Sequence, residues 1–211
     1  MPCPSAAYGP RCGAGGGQLY RSTSGQVLVS AEEIAIATAM LLGSLVIYSQ
    51  KPIYQGEDPW IHLRFFEGKW SGPATGTPGK GISSRQYAFD LNGRFLTARN
   101  RSVYEPKTPT APPEVHEDSA IFSYDRSRKT IVLRQFHSEG FVNEYTLSAV
   151  RDNGRELEFV TVRIENIPPG WKAKEVYSVV SPDEVFETFS LAAPGKEFEV
   201  YSTAHLRRLK K

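Results

Sequence analysis

Cysteine is nearly absent from this chain. Cys3 and Cys12 are the only two, both in a Gly-rich N-terminal stretch. They cannot staple the rest of the 211 residues, and neither belongs to a C-x-x-C pair, so the redox compartment is not encoded here. The main domain must fold by burial alone. One-sided charge is missing too: 25 Lys and Arg face 23 Asp and Glu, for a formal net charge of +2. That balance argues against a nucleic-acid partner, which would need a wide basic patch with interleaved aromatics. The basic cluster Arg207, Arg208, Lys210 and Lys211 reads as a solvated tail. No apolar run reaches the roughly 20 residues of a comfortable membrane span.

Catalytic and metal-binding signatures are equally scarce. No serine sits in a Gly-x-Ser-x-Gly elbow. The stretch Gly76–Ser84, GTPGKGISS, fails as a phosphate-binding loop because Ala74 stands where glycine is needed and Gly81 follows Lys80. It reads as a flexible hairpin loop. The four histidines, His62, His116, His137 and His205, show no metal-ligand spacing on one element. Glu117 and Asp118 are adjacent, so they face opposite sides of one strand and do not form an acid–base pair.

What the chain does contain falls into three parts. Residues 1–30 are rich in Gly, Ser and Pro without apolar periodicity and read as a disordered tail. Residues 31–50 hold the run Ile34–Tyr48, IAIATAMLLGSLVIY, which reads as an apolar helix of signal or anchor type. Export or membrane tethering is expected from it, with any membrane contact made through this segment. Glu32 and Glu33, placed where positive charge is usual, leave a helix that merely packs as the alternative.

Residues 60–209 read as β structure. Asp58 and Pro59 fit the start of a short helical segment over Trp60–Phe66. About ten strands follow, each joined to the next by a short turn. Asn92-Gly93 is the strongest hairpin signal, and Ser138-Glu139-Gly140, Asp152-Asn153-Gly154, Ser181-Pro182-Asp183 and Pro194-Gly195 punctuate the remainder. No helix long enough for a βαβ crossover intervenes, which excludes parallel architectures. The hairpin Val132–Tyr145, VLRQFHSEGFVNEY, carries polar residues on both faces. An all-β, about ten-stranded antiparallel up-and-down meander closed into a barrel accommodates this, because a wide barrel encloses a partly wet cavity and has no open edges. A two-sheet sandwich with ragged patterning is the alternative.

Gly68-Lys69-Trp70-Ser71-Gly72, with Gly76 beyond, opens the first strand after a short helical segment. This pattern resembles the Gly-x-Trp opening of the calycin superfamily, which includes lipocalins and fatty-acid-binding proteins. Together with a ten-strand meander it looks most like the nitrobindin-type haem-binding barrels and bacterial lipocalin-like proteins of unassigned role. The resemblance implies a barrel plugged at one end by Trp70. It also implies haem as a cofactor, with its iron held by a histidine on the last strand, the place His205 occupies in TAHLRRL.

These readings converge on a small-molecule binding protein that holds an amphipathic or anionic ligand. Arg99 and Arg101 share one strand face and offer the planar fork that grips a carboxylate. If they point outward instead, they make surface ion pairs of about 0–1 kcal/mol. Trp70, Glu117, Gln135, His137, Asn143, Tyr145 and Tyr177 complete the expected ligand-binding set, with Glu175 and Glu187 on later strands. Two alternatives stand beside this reading: haem binding through His205, and an isomerase-type enzyme using Glu117 or His137 as general base.

Overall fold

A computed structural model describes residues 58–210. The expected tail over 1–30 and apolar helix over 31–50, with the export they suggest, lie outside these residues. Asp58 caps the entry as its sequence context predicts: its Oδ1 accepts the Trp60 amide at 3.0 Å. The following segment is a set of turns ending in a single 3-10 turn, Arg64–Phe66.

Ten antiparallel strands follow: β1 (Gly68–Gly76), β2 (Gly79–Asp90), β3 (Phe95–Tyr104), β4 (Glu114–Asp125), β5 (Thr130–His137), β6 (Val142–Arg151), β7 (Glu156–Glu165), β8 (Lys172–Ser181), β9 (Glu184–Ala192) and β10 (Glu199–Arg208). Each pairs with its sequence neighbour, and β1 pairs with β10, so the sheet is a closed barrel with no free edge. The sandwich alternative is thereby removed. The flexible loop expected over Gly76–Ser84 is corrected: Thr77 and Pro78 alone separate β1 from β2, and Gly79 to Ser84 are strand.

Closure is written into the glycines of the first strand. Gly68 has φ +123°, a backbone that disfavours any side chain. At Gly72, a Cβ would lie 1.9 Å from the carbonyl oxygen of His205 on β10, so only glycine lets the first and last strands meet there.

The barrel interior is graded from end to end. Inward positions of β5 run Ile131, Leu133, Gln135, His137; those of β3 run Leu96, Ala98, Asn100, Ser102, Tyr104. In each case the apolar members lie toward one end and the polar members toward the other. The apolar end is a solid core in which Trp60, Leu63, Phe66, Trp70, Leu96, Phe122, Leu133, Phe159, Tyr177 and Leu206 are buried. Edge-to-face contacts such as Phe66–Tyr177 at 5.3 Å and Phe122–Phe159 at 5.7 Å fill it. Arg208 seals this end. Its guanidinium lies 4.0 Å above the Trp70 ring and donates to the Phe65 and Glu67 carbonyls, each at 2.7 Å. Trp70 Nε1 donates to the Phe66 carbonyl at 2.7 Å. The two polar faces of the Val132–Tyr145 hairpin thus have separate causes: one faces solvent, and the other crosses from core to cavity along its length.

Candidate functional site

The polar half of the barrel encloses a cavity of about 520 Å³. It opens beside the β5–β6 and β7–β8 connections, where Phe141, Ile167, Pro168 and Trp171 form an apolar rim. Strand register lays a belt of polar side chains across its floor. Arg85 on β2 sits opposite Asn100 on β3, Asn100 opposite Asp118 on β4, and Asp118 opposite His137 on β5. Gln135 on β5 then faces Asn143 on β6. Glu175 on β8 and Glu187 on β9 complete the circuit.

The belt is electrostatically lopsided. Arg85 forms a buried ion pair with Glu187, Nη2 to Oε2 at 3.0 Å and Nε to the same oxygen at 3.1 Å. Its Nη1 donates to the Ser84 carbonyl at 3.0 Å and to Ser102 Oγ at 3.3 Å, and Ser102 is bonded to Ser83 at 2.7 Å. Tyr87 donates to the other Glu187 oxygen at 3.3 Å. Burial works against the charge on Arg85, but Glu187 outweighs it and holds the proton more firmly than usual.

The remaining carboxyl groups have no such partner. Burial pushes Asp118 up to about 6, although Arg85 and a 2.8 Å bond from Asn100 Nδ2 pull the other way. Burial and the nearby Glu187 raise Glu175 well above the ordinary carboxylate range, even though Gln135 hydrogen-bonds to it. His137, whose ring stacks on Phe141 at 4.0 Å, is pushed down to about 4 by burial and is neutral at pH 7. Nearer the mouth, burial opposes the charge on His116, but the carboxylates of Glu139 and Glu114 outweigh it and raise its pKa.

Three carboxamide oxygens at this level of the barrel are buried without a hydrogen-bond donor from the protein: Gln135 Oε1 and Asn143 Oδ1 on residues that line the cavity, and Asn100 Oδ1 on one that does not. Native interiors rarely leave such atoms unpaired. Asn143 uses its Nδ2, donating to Tyr145 Oη at 2.9 Å and lying 3.3 Å from His137 Nε2.

The structure separates the residues expected at the site. Gln135, His137 and Asn143 line the cavity. Tyr145 lies directly beneath, bonded to Asn143. Trp70 and Tyr177 belong to the packed end and do not reach the cavity. Arg99, Arg101 and Glu117 are corrected outright, for they lie on the outer surface. There Arg101 pairs with Glu117 at 2.8 Å and Arg99 donates to Ser119 Oγ at 2.6 Å. Alternation fixes this, since Asn100, Ser102 and Asp118 take the inward positions between them.

His205 is corrected as well. Ala204 and Leu206 point inward and are buried, which turns His205 outward against Phe186, with Nε2 3.7 Å from Glu184. That geometry does not fit an axial ligand for a haem inside the barrel. Among the described residues, no group of three or more His, Cys, Asp or Glu could hold a metal ion. The inward polar residues that sequence reasoning left out are Arg85 and Asp118, which line the cavity, and Asn100 between them. Their signal was parity: each shares a strand face with buried apolar residues, as Asp118 does with Ala120 and Phe122.

With this geometry the chain is a closed ten-stranded antiparallel β-barrel, and comparison with known proteins agrees at the level of fold. It is similar to the crystal structure of Rv2717c from M. tuberculosis, with a TM-score of 0.55 and 19% identity over 73% of this chain and 99% of that one. A protein of unknown function from the DUF3598 family of Nostoc punctiforme aligns over 73% of this chain and 100% of that one, at 9% identity. The TM-score of that alignment is 0.26. No family model matches the sequence, and no curated protein matches it.

Proposed function

We propose that the barrel is a small-molecule binding protein that takes up an amphipathic ligand, polar group on the floor and apolar part at the rim. The observation that carries this reading is the pair of unpartnered acceptors, Gln135 Oε1 and Asn143 Oδ1, on residues lining a cavity of about 520 Å³. Buried polar atoms without partners cost about 1–3 kcal/mol each, and a ligand that donates to them recovers that cost. Solid packing at the far end makes the cavity a cup, and apolar residues at its lip match the second half of an amphipathic molecule.

An anionic ligand loses its anchors, because Arg99 and Arg101 face solvent and Arg85 is already engaged by Glu187. The nitrobindin-type role implied by the Gly-x-Trp opening lacks its iron ligand at His205. The catalytic alternative keeps one of its two bases: His137 lines the cavity in its neutral form, whereas Glu117 does not.

Native mass spectrometry of freshly purified protein, combined with titration of the neutral fluorophore N-phenyl-1-naphthylamine, tests the reading. Saturable one-to-one uptake of the fluorophore, displaced by any compound recovered with the protein, is expected. A recovered compound that returns chemically altered after incubation would move the conclusion to catalysis. Absence of both a retained compound and saturable uptake would overturn the proposal.

A further inference from the structure

The floor of the cup is short of two things, positive charge and hydrogen-bond donors. Asp118, Glu175 and Glu187 place three carboxyl groups around it, and Arg85 is the one guanidinium among them. That guanidinium is spent on protein partners: Nε and Nη2 go to Glu187, and Nη1 goes to Ser84 and Ser102. The free acceptors of Gln135 and Asn143 lie in the same belt, on side chains that are 3% and 1% exposed.

We infer that the cup selects amphipathic molecules with a primary ammonium head, which sits among Asp118, Glu175, Gln135 and Asn143 while its apolar part lies against the rim. This inference rests on the binding reading above and narrows it to one ligand class. A primary ammonium brings three N–H donors and no acceptor, so it supplies what this floor lacks and adds nothing the floor already holds. A carboxylate head would meet two carboxyl groups, Asp118 and Glu175, that have carboxamide partners but no ion pair, and find no free donor among the Arg85 contacts. A hydroxyl head could donate once but would leave the carboxyl groups uncompensated. The environment of Glu175 agrees, since neighbouring acids and burial together disfavour its negative charge; an adjacent cation relieves that penalty. Ile164, Trp171, Phe189 and Leu191 provide the apolar wall above.

Displacement of bound N-phenyl-1-naphthylamine by three chains of equal length, octylamine, octanol and octanoate, tests this at pH 7.4. Octylamine is expected to displace at about tenfold lower concentration than octanol, and octanoate to be weakest, in line with the strength of charge-assisted hydrogen bonds. In Glu175→Gln and in Asp118→Asn, the amine-over-alcohol ratio should fall by about fivefold or more. Because the ratio is taken within one variant, partial loss of folded protein does not imitate the effect. Octanol or octanoate matching octylamine, or an unchanged ratio in both variants, would overturn the ammonium assignment while leaving the cup a binding site. Failure of the neutral fluorophore to bind, together with absence of any retained compound, would instead remove the binding reading and this inference together.

Discussion

The Arg85–Glu187 pair sets the energetic tone of the interior. Burying two charges is costly, and such a pair seldom stabilises a fold beyond what apolar residues of similar size would do. Breaking it is another matter. Arg85→Ala would leave Glu187, 5% exposed, with Tyr87 as its remaining hydrogen-bond partner. We expect a loss of about 3–5 kcal/mol in urea unfolding. The double substitution Arg85→Met with Glu187→Leu should recover most of it. A double variant as unstable as the single one would show that volume, not charge, governs the site. At this scale the sequence misleads for a definite reason. Arg99 and Arg101 alternate with Asn100 and Ser102, and a strand offering polar residues at both parities does not announce its inner face. Phe95 shares the outward parity of Arg99 and Arg101, and at the strand end beside the Asn92-Gly93 turn it remains partly exposed.

At the level of elements, β4 and β5 bring Asp118 and His137 into register, and their titrations oppose each other. In the fold Asp118 keeps its proton up to about 6, against 3.8 for the ordinary side chain. The folded state therefore binds this proton more tightly, and its contribution to stability falls as pH rises from about 4 to 6. His137 is held to about 4 against 6.5. There the unfolded chain binds the proton more tightly, so stability rises with pH across nearly the same window. The native protein should change little from these two groups between pH 4 and 6. Asp118→Asn should make stability climb with pH, and His137→Asn should make it decline, each by about 1–3 kcal/mol across the window. Melting temperatures at half-unit pH steps would check this. Parallel curves for all three proteins would mean that neither group is perturbed by the fold. Strands and turns were readable because their chemistry is local: Asn92-Gly93 and Asp152-Asn153-Gly154 adopt the positive-φ backbones such residues favour. Facing was not readable, since it depends on where along the barrel axis a position falls.

For the molecule as a whole, the closed meander was legible from ten short-turn strands and the glycines around Trp70, but the division of the interior was not. A single strand such as Ile131, Leu133, Gln135, His137 looks like a spoiled amphipathic pattern until ten of them are aligned and the polar ends are seen to gather at one level. Arg208 ties this assembly together. It joins the last strand to the segment before the first, through Phe65 and Glu67, to β1 through Trp70, and to the β8–β9 turn through Asp183 at 3.1 Å. Arg208→Ala should lower stability by about 2–4 kcal/mol and leave the affinity for N-phenyl-1-naphthylamine within about twofold, because the plug and the cup occupy opposite halves. A large loss of affinity with an unchanged melting temperature would contradict that division of labour.

The β1–β10 seam imposes an order of events during synthesis. Its partners, such as Trp70 and Arg208, are separated by nearly the whole length of the barrel sequence. A nascent chain that has reached β9 presents two raw margins and a vessel with one stave missing. The wall is incomplete until residues up to Arg208 have emerged from the ribosome, so the vessel can hold a guest only once its last strand has docked.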